Sequence, residues 1–460
     1  MPYVTLINFI FGSLFAVAGL LASHFIFFAI VGVFAKKKFP HTEKKLKYGI
    51  IIPTRNETKV VGNLIDSIRK NRYPQDKLDI FVIAHNCEDD TADVARAKGA
   101  KVYEYNNPNE RTKGYALKHL FERIEEDYGT ASYDGFFILD ADNILAVDYI
   151  DKMNDAFVAY DQKGVITSFR NSKNFGKNIV SAMYGLYFLY GCRLEARGRS
   201  VLGCSTRVSG TGFLFNSATV KNGWNYLTLT EDWEFTADKL LENTKIYYCD
   251  EAMFYDEQPT GFKVMWTQRI RWAKGHLLVF QTRFLKLLKS LFTSSKRGGT
   301  KYKASTYDIL VNITPVGIVG TGLALMQILA LCFSPLFGYN LWDVILGYLS
   351  GYGISFLTTI LTLICTSIIL CMLEIKRLPR LNPITMLIAI ILWPVFVLLA
   401  APFDVIALFS KNLVWKAIPH DDTTDFDEIH GVLDNVSTEE AIEVSESVEV
   451  SADVLDEIKE

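Results

Sequence analysis

Apolar and polar positions divide the chain into three stretches. Residues 4–35 form an apolar run with one His and no charge. The run ends at Lys36-Lys37-Lys38, with Lys44, Lys45 and Lys47 close behind. At about 20 residues per bilayer crossing it predicts a transmembrane helix, and the lysines predict that the next part of the chain is cytoplasmic. A secretory signal would carry its positive charge before a shorter apolar core. Three further runs, 309–333, 344–373 and 384–409, are each long enough to span a bilayer. The basic connection Glu374-Ile375-Lys376-Arg377-Leu378-Pro379-Arg380 is expected on the cytoplasmic side. Four simple spans would leave the C-terminus outside, against which Lys411 and Lys416 argue. Pro394, Pro402 and Asp404 predict a broken or interfacial last run.

Between these runs, short apolar stretches alternate with helical spacings. Tyr48-Gly49-Ile50-Ile51-Ile52 reads as a strand that breaks at Pro53, and Val60, Leu64, Ile65 and Ile68 then recur at helical spacing. Asp79-Ile80-Phe81-Val82-Ile83-Ala84 and Ala100-Lys101-Val102-Tyr103-Glu104-Tyr105 are two more strands, separated by a helix. A helix over about 115–126 precedes Phe136-Phe137-Ile138-Leu139, a fourth buried strand. Strands alternating with helices predict an α/β fold, a parallel sheet with helices on both faces. Residues 179–190 are aromatic and apolar but short for a span, so they belong on the membrane surface or in the core. Residues 262–291 read as one long amphipathic helix. The tail after His420 is acidic and poor in aromatics, and is expected to be disordered.

Composition supports a soluble part joined to membrane spans. Half of the 460 residues are hydrophobic and 13% aromatic, and mean hydropathy is +0.16. That is too apolar for an ordinary cytosolic enzyme, and the length leaves room for two or three domains. Net charge is −3 with no long basic stripe, so no nucleic-acid partner is expected. The seven cysteines form no C-x-x-C pair and read as reduced thiols.

Three places carry candidate chemistry. Asp140 and Asp142 stand at the C-terminal end of the fourth strand, where parallel sheets bind ligands. Two carboxylates there repel each other and want a cation. A divalent ion carrying a diphosphate fits, and a plain strand-end turn is the alternative. Glu231 and Asp232 follow Thr230 at a helix start, where Thr230 can cap and the acids suit the positive end of the helix. Gln268, Arg271 and Trp272 share one face of the long helix. A guanidinium suits a diphosphate and an indole suits a sugar face, while a basic helix lying at the membrane interface is the other reading. There is no G-x-G-x-x-G after the first strand and no G-x-x-x-x-G-K, so dinucleotide and P-loop readings recede. The turn Ser209-Gly210-Thr211-Gly212 is glycine-rich.

Taken together, Ile52-Pro53-Thr54-Arg55-Asn56-Glu57, Lys113-Gly114, Asp140-Ala141-Asp142, Thr230-Glu231-Asp232 and Gln268-Arg269-Ile270-Arg271-Trp272 stand in an order that resembles membrane-embedded family-2 glycosyltransferases. That group includes cellulose, chitin, hyaluronan and poly-N-acetylglucosamine synthases. The resemblance implies a GT-A type (Rossmann-like) cytoplasmic domain over 47–304. Around it stand a transmembrane helix within 1–35, about three spans within 305–418, and the acidic tail 419–460. It implies an inverting transfer from a nucleotide-sugar, most often UDP-linked, with Mg²⁺ or Mn²⁺. By position, Asp140 would bind the nucleotide-sugar, Asp142 would hold the metal and Asp232 would be the general base. Glu231, Gln268, Arg271 and Trp272 would meet the diphosphate and acceptor. Pro53, Arg55, Glu57 and Lys113 would line the nucleotide pocket, with Asp89 standing for the family's acid after the second strand. That turn here reads Ala84-His85-Asn86-Cys87, and the loop at Ser209 lacks the Cys-Gly of several polymer synthases. The implied acceptor is a growing polysaccharide at the plasma membrane, in contact with lipid. Single addition to a lipid- or polyprenyl-phosphate-linked acceptor is the alternative, and a catalytically dead membrane scaffold is a third class.

Overall fold

The computed structural model describes residues 2–378, 382–410, 418 and 420–429. The first apolar run is two helices, α1 (Tyr3–Ala22) and α2 (His24–Phe34). Between them the Ser23 hydroxyl donates to the Leu20 carbonyl (2.7 Å). Strands and helices then alternate as β1 (Tyr48–Thr54), α3 (Val61–Arg69), β2 (Leu78–His85), α4 (Thr91–Ala97), β3 (Lys101–Tyr105), α5 (Lys113–Asp127) and β4 (Gly135–Ile138). Next come β5 (Ile144–Leu145), α6 (Tyr149–Ala159) and β6 (Val165–Ser172). Successive strand residues point to opposite faces. Ile50, Ile52 and Phe137 therefore pack with Leu64, Ile68 and Met153 of α3 and α6, while Ile51, Phe136 and Ile138 pack with Leu117, Leu120 and Phe121 of α5.

After β6 the chain leaves the sheet. It forms α7 (Ile179–Tyr190), a π-helical stretch Gly191–Ala196 and α8 (Arg197–Val201). It returns as β7 (Phe213–Asn216), then α9 (Glu231–Leu241) and β8 (Ile246–Asp256). The strand order is β3-β2-β1-β4-β7-β6-β8-β5. The expected parallel pairing holds from β3 to β4, but β7 runs antiparallel to both β4 and β6, so the sheet is mixed. The reason is the point of re-entry. Phe213 pairs with Ile138 at the carboxyl end of β4, and Gly212 N–H bonds to the Ile138 carbonyl (3.0 Å). A chain entering there can only run back along β4.

The long amphipathic helix is α10 (Phe262–Phe292). After it come α11 (Lys303–Ile313), α12 (Val316–Leu331), α13 (Leu341–Leu373), α14 (Pro383–Leu398) and α15 (Ala400–Phe409). Among the described residues, three segments are long and apolar enough to cross a membrane: Tyr3–Phe34, Leu341–Leu373 and Pro383–Phe409. The run expected as a simple span at 309–333 is instead the α11–α12 pair, bent by 61°. Pro315 stands at the bend and cannot donate to the helix ladder. The Asp404 carboxylate of α15 accepts the freed Gly317 N–H (3.2 Å). The break expected in the last run is mild, at Leu399 between α14 and α15. Residues 179–190 are core: Tyr184 and Leu186 of α7 pack with Trp393 and Phe396 of α14, beneath the sheet. Lys411, Lys416, Pro379 and Arg380 lie outside the described residues. Residues 420–429, expected to be disordered, pack against the sheet domain, with Phe426 and Ile429 buried beside Ile144 and Tyr255. The rest of the tail, 430–460, lies outside the described residues.

A buried charge cluster ties the first apolar segment to this domain. Arg199 of α8 forks onto Asp308 of α11 (2.7 and 3.0 Å), and Asp308 also meets His24 of α2 (3.0 Å). Glu195 of the π-helical stretch bridges Arg199 and Arg207. Removing one partner of a buried pair strands the other charge. Asp308→Ala should cost about 3–5 kcal/mol, read as a lowered thermal midpoint of the detergent-solubilised protein, with Asp308→Asn costing less.

Candidate active site

The site stands at the carboxyl edge of β4. Past Ile138 the backbone is fixed by side chains: Asp140 N–H donates to Thr211 Oγ1 (2.8 Å) and to Asn143 Oδ1 (3.2 Å), and Thr211 Oγ1 donates to Asn143 Oδ1 (2.6 Å). The glycine-rich turn therefore serves here as a buttress for the Asp140 loop. Positive φ at Gly210 and Gly212 (82° and 68°) brings Thr211 into place. Asp142 is buried; its Oδ2 accepts the Glu257 N–H (2.8 Å) and its Oδ1 accepts from Asn143 Nδ2 (3.1 Å). Asp140 is more open, and one of its oxygens accepts from the Lys113 ammonium at the start of α5.

Lys113 is the hinge of the charge arrangement. It also donates to the Gly210 carbonyl (2.8 Å) and lies 3.9 Å from Glu231. Burial works against its charge, but Asp140, Glu231 and Asp232 outweigh that, and its pKa stands above the ordinary lysine value. Glu231 and Asp232 open α9 as expected, although the capping differs. Thr230 makes no side-chain cap; Asp232 Oδ1 accepts the Trp233 N–H instead (2.9 Å). Burial raises both carboxyls, and Glu231 is pushed up to about 7 in spite of Lys113.

Helix α10 divides its motif between two faces. Gln268 Oε1 accepts from the Tyr184 hydroxyl (2.5 Å). Trp272 lies edge-on to Tyr184 (centroids 6.0 Å) and stacks on Tyr187 (6.5 Å). Arg271 is held below the usual guanidinium range by burial, against the pull of Glu231, Asp140 and Asp232. Arg269 also borders the cavity and reaches α14, donating to the Phe396 carbonyl and lying over the Phe396 ring (4.1 Å).

Pro53, Arg55, Glu57, Lys113, Asp140, Asp142, Glu231, Asp232, Gln268, Arg271 and Trp272 all line one cavity of about 400 Å³. Asp89 does not line it. Its carboxylate is taken up by Thr58 (N–H, 3.3 Å) and Thr91 (Oγ1, 2.5 Å), fixing the turn into α4. The structure adds residues that the sequence did not single out. Arg170 joins Asp256 (Nε to Oδ2, 2.7 Å), lies over Phe188 (3.6 Å) and lines the cavity beside Asp142. His420 lies 2.9 Å from both oxygens of Glu57. Burial raises Glu57 to about 7, partly offset by His420. His420 itself is raised to about 10, because Asp142 and Glu57 outweigh its burial. No short motif flags these pairs: Arg170 and Asp256 are 86 positions apart, and Glu57 and His420 are 363 apart.

The donor atoms suit a hard divalent cation. Asp140 and Asp142 offer carboxylate oxygens and no sulfur. Among the described residues no three His, Cys, Asp or Glu side chains close into a metal cage. An ion such as Mg²⁺ or Mn²⁺, held by one or two carboxylates with the rest supplied by phosphate and water, fits that arrangement.

The mixed sheet, with acids at the carboxyl edge of β4 and Lys113 between Asp140 and Glu231, is an arrangement of the GT-A type. The model of "Glycosyltransferase like family 2" matches residues 46–275, and the chain belongs to that family. It is 25% identical over 251 residues to a probable glycosyltransferase, YdaM, of Bacillus subtilis (strain 168), covering 52% of this chain and 58% of that protein's length. It is 24% identical over 317 residues to a poly-beta-1,6-N-acetyl-D-glucosamine synthase of Staphylococcus epidermidis, covering 66% and 70%. The fold is shared with the mannosyltransferase PcManGT from Pyrobaculum calidifontis in complex with GDP-Man and Mn²⁺, at TM-score 0.52 and 16% identity, over 78% of this chain and 97% of that one.

The raised carboxyls are directly measurable. Infrared difference spectra of wild type against Glu231→Gln should show a carboxyl half-ionised near pH 7, where an ordinary glutamate would titrate near about 4.3.

Proposed function

We propose that this chain is an inverting glycosyltransferase that moves a sugar from a nucleotide-sugar, UDP-linked, onto a hydroxyl of a growing polysaccharide. The observation that carries this reading is the convergence of three residue sets, distant in sequence, on one cavity: Asp140 with Asp142, Glu231 with Asp232, and Gln268 with Arg271 and Trp272. The poly-N-acetylglucosamine synthases among the relatives support the polymer acceptor.

In this reading Pro53, Arg55, Glu57 and Lys113 hold the nucleotide, and Asp140 and Asp142 would hold Mg²⁺ or Mn²⁺. When bound, that ion would neutralise the diphosphate as it departs. Arg271 adds fixed positive charge on the same leaving group. Asp232 takes the proton of the acceptor hydroxyl as that oxygen attacks the anomeric carbon. The bond to the diphosphate breaks on the opposite face, which inverts the centre and needs a single base. Trp272, set among Tyr184, Tyr187 and Phe188, gives the acceptor sugar an aromatic floor. Burial lifts Asp232 above the ordinary carboxylate range, and that makes it a stronger base near neutral pH. The lysines after the first span support a catalytic domain on the cytoplasmic side of the plasma membrane, with the apolar segments in contact with lipid.

Asp232→Asn should lower sugar transfer by about 10²–10⁴-fold while UDP still binds; transfer at the normal rate would remove Asp232 from the role of base. Because the base acts ionised, wild-type transfer should rise with pH through a midpoint above the ordinary aspartate range. Purified protein in lipid, offered labelled UDP- and GDP-sugars with Mn²⁺, should yield a ladder of lengthening product. A single added sugar on lipid would instead establish the single-addition reading.

A further inference from the structure

The segment 420–429 lies along the rim of the cavity, held from one end to the other. At the near end His420 meets Glu57 inside the cavity. The Glu257 carboxylate then accepts the backbone N–H groups of Asp421 (3.1 Å) and Asp422 (3.0 Å). The backbone N–H of the same Glu257 bonds to Asp142 (2.8 Å), so one residue fixes both the candidate metal-binding acid and the segment. Lys59 pairs with Asp421 (2.5 Å), Lys70 with Asp427 (2.5 Å) and Lys177 with Asp422 (3.5 Å). Lys173 donates to the Asp422 carbonyl (2.8 Å), and Asn63 donates to the Thr423 carbonyl (2.8 Å). At the far end Phe426 and Ile429 are buried against Ile144 and Tyr255, with Val147 and Met253 alongside. The Lys70 ammonium lies 5.3 Å over the Phe426 ring.

We propose that residues 421–429 act as a latch on the catalytic domain, holding His420 in the donor compartment and slowing the departure of a diphosphate-bearing ligand. The latch rests on the proposed nucleotide-sugar donor. The occupant of this surface is the chain's own acidic segment, matched by lysines from the ends of α3 and the loop after β6. Those ion pairs are exposed: Lys59 and Asp421 are 63% and 61% accessible. Exposed pairs are individually weak and are screened by salt, so they hold the segment only together with Phe426, Ile429 and the hydrogen bonds to Glu257. A segment held by two apolar side chains and screened ion pairs can release and re-dock. Its shared anchor, Glu257, passes that opening to the Asp142 side of the cavity.

The test uses the full chain in lipid nanodiscs, with Phe426→Asp and, as a surface control on folding, Lys59→Glu combined with Lys70→Glu. Hydrogen exchange without ligand reports whether 420–429 is docked. Stopped-flow release of a fluorescent UDP with Mn²⁺ reports retention. Wild type should protect 420–429. Both variants should lose that protection and release UDP about fivefold or more faster, with association little changed. About 0.5 M NaCl should speed release from wild type in the same direction. Absence of protection in wild type overturns the latch, and so does UDP release from the undocked variants that is unchanged or slower. A wild type that protects 420–429 yet binds neither UDP nor GDP with Mn²⁺ overturns the donor reading and the retention role together, leaving a docked segment without that role.

Discussion

A buried ammonium holds the centre of this protein. Lys113 lies between Asp140, at the end of β4, and Glu231, at the start of α9. Without a positive charge there, the buried Glu231 and Asp232 would face Asp140 uncompensated, which proteins tolerate only with pairing or protonation. The ammonium also bonds to the Gly210 carbonyl, so the same group anchors the turn that returns the chain to the sheet as β7. Charge balance and strand order are thus settled at one point. The close packing of Gly114 explains why this helix start has no room to shift: a Cβ there would stand 2.2 Å from the Tyr226 carbonyl.

Helix α10 couples the C-terminal apolar helices to that centre. Gln268, Arg271 and Trp272 line the cavity, while Arg269 grips the Phe396 carbonyl of α14. One turn of helix thereby serves two neighbours. The Arg199, Asp308 and His24 cluster makes a second connection, from α8 and α11 to the first apolar segment, with Glu195 of the π-helical stretch joined to it through Arg199. Extra residues in a helical turn commonly mark functional sites, and here the stretch lines the cavity through Gly191, Cys192 and Ala196.

The family assignment rests on residues 46–275, and the chemistry of the cavity agrees with it. Acids that would carry a metal and a base that would take a proton stand on different elements, with Lys113 between them. Their environments differ as their tasks would require: Asp142 is engaged by backbone and amide donors, whereas Asp232 is raised by burial.

Much of this was legible in one dimension. The short apolar run Ile50, Ile51 and Ile52, broken at Pro53, marked β1, and the i, i+3 and i, i+4 spacing of Gln268, Arg271 and Trp272 placed them on one face of α10, because both signals are local along the chain. Asp89 stands outside the cavity: an acid after a strand is equally a turn former, and here Thr58 and Thr91 take it. The direction of β7, the bend at Pro315 and the docking of the acidic segment were decided elsewhere. Each depends on a partner far along the chain: Ile138 for Phe213, Asp404 for Gly317, Glu57 for His420. Sequence by itself determined the elements and most of the cavity's chemistry, since periodicity and residue type are local properties. Only the tertiary structure decided which charges neutralise one another, since Coulomb energy depends on distance in space and on burial, and neither is written in the order of residues.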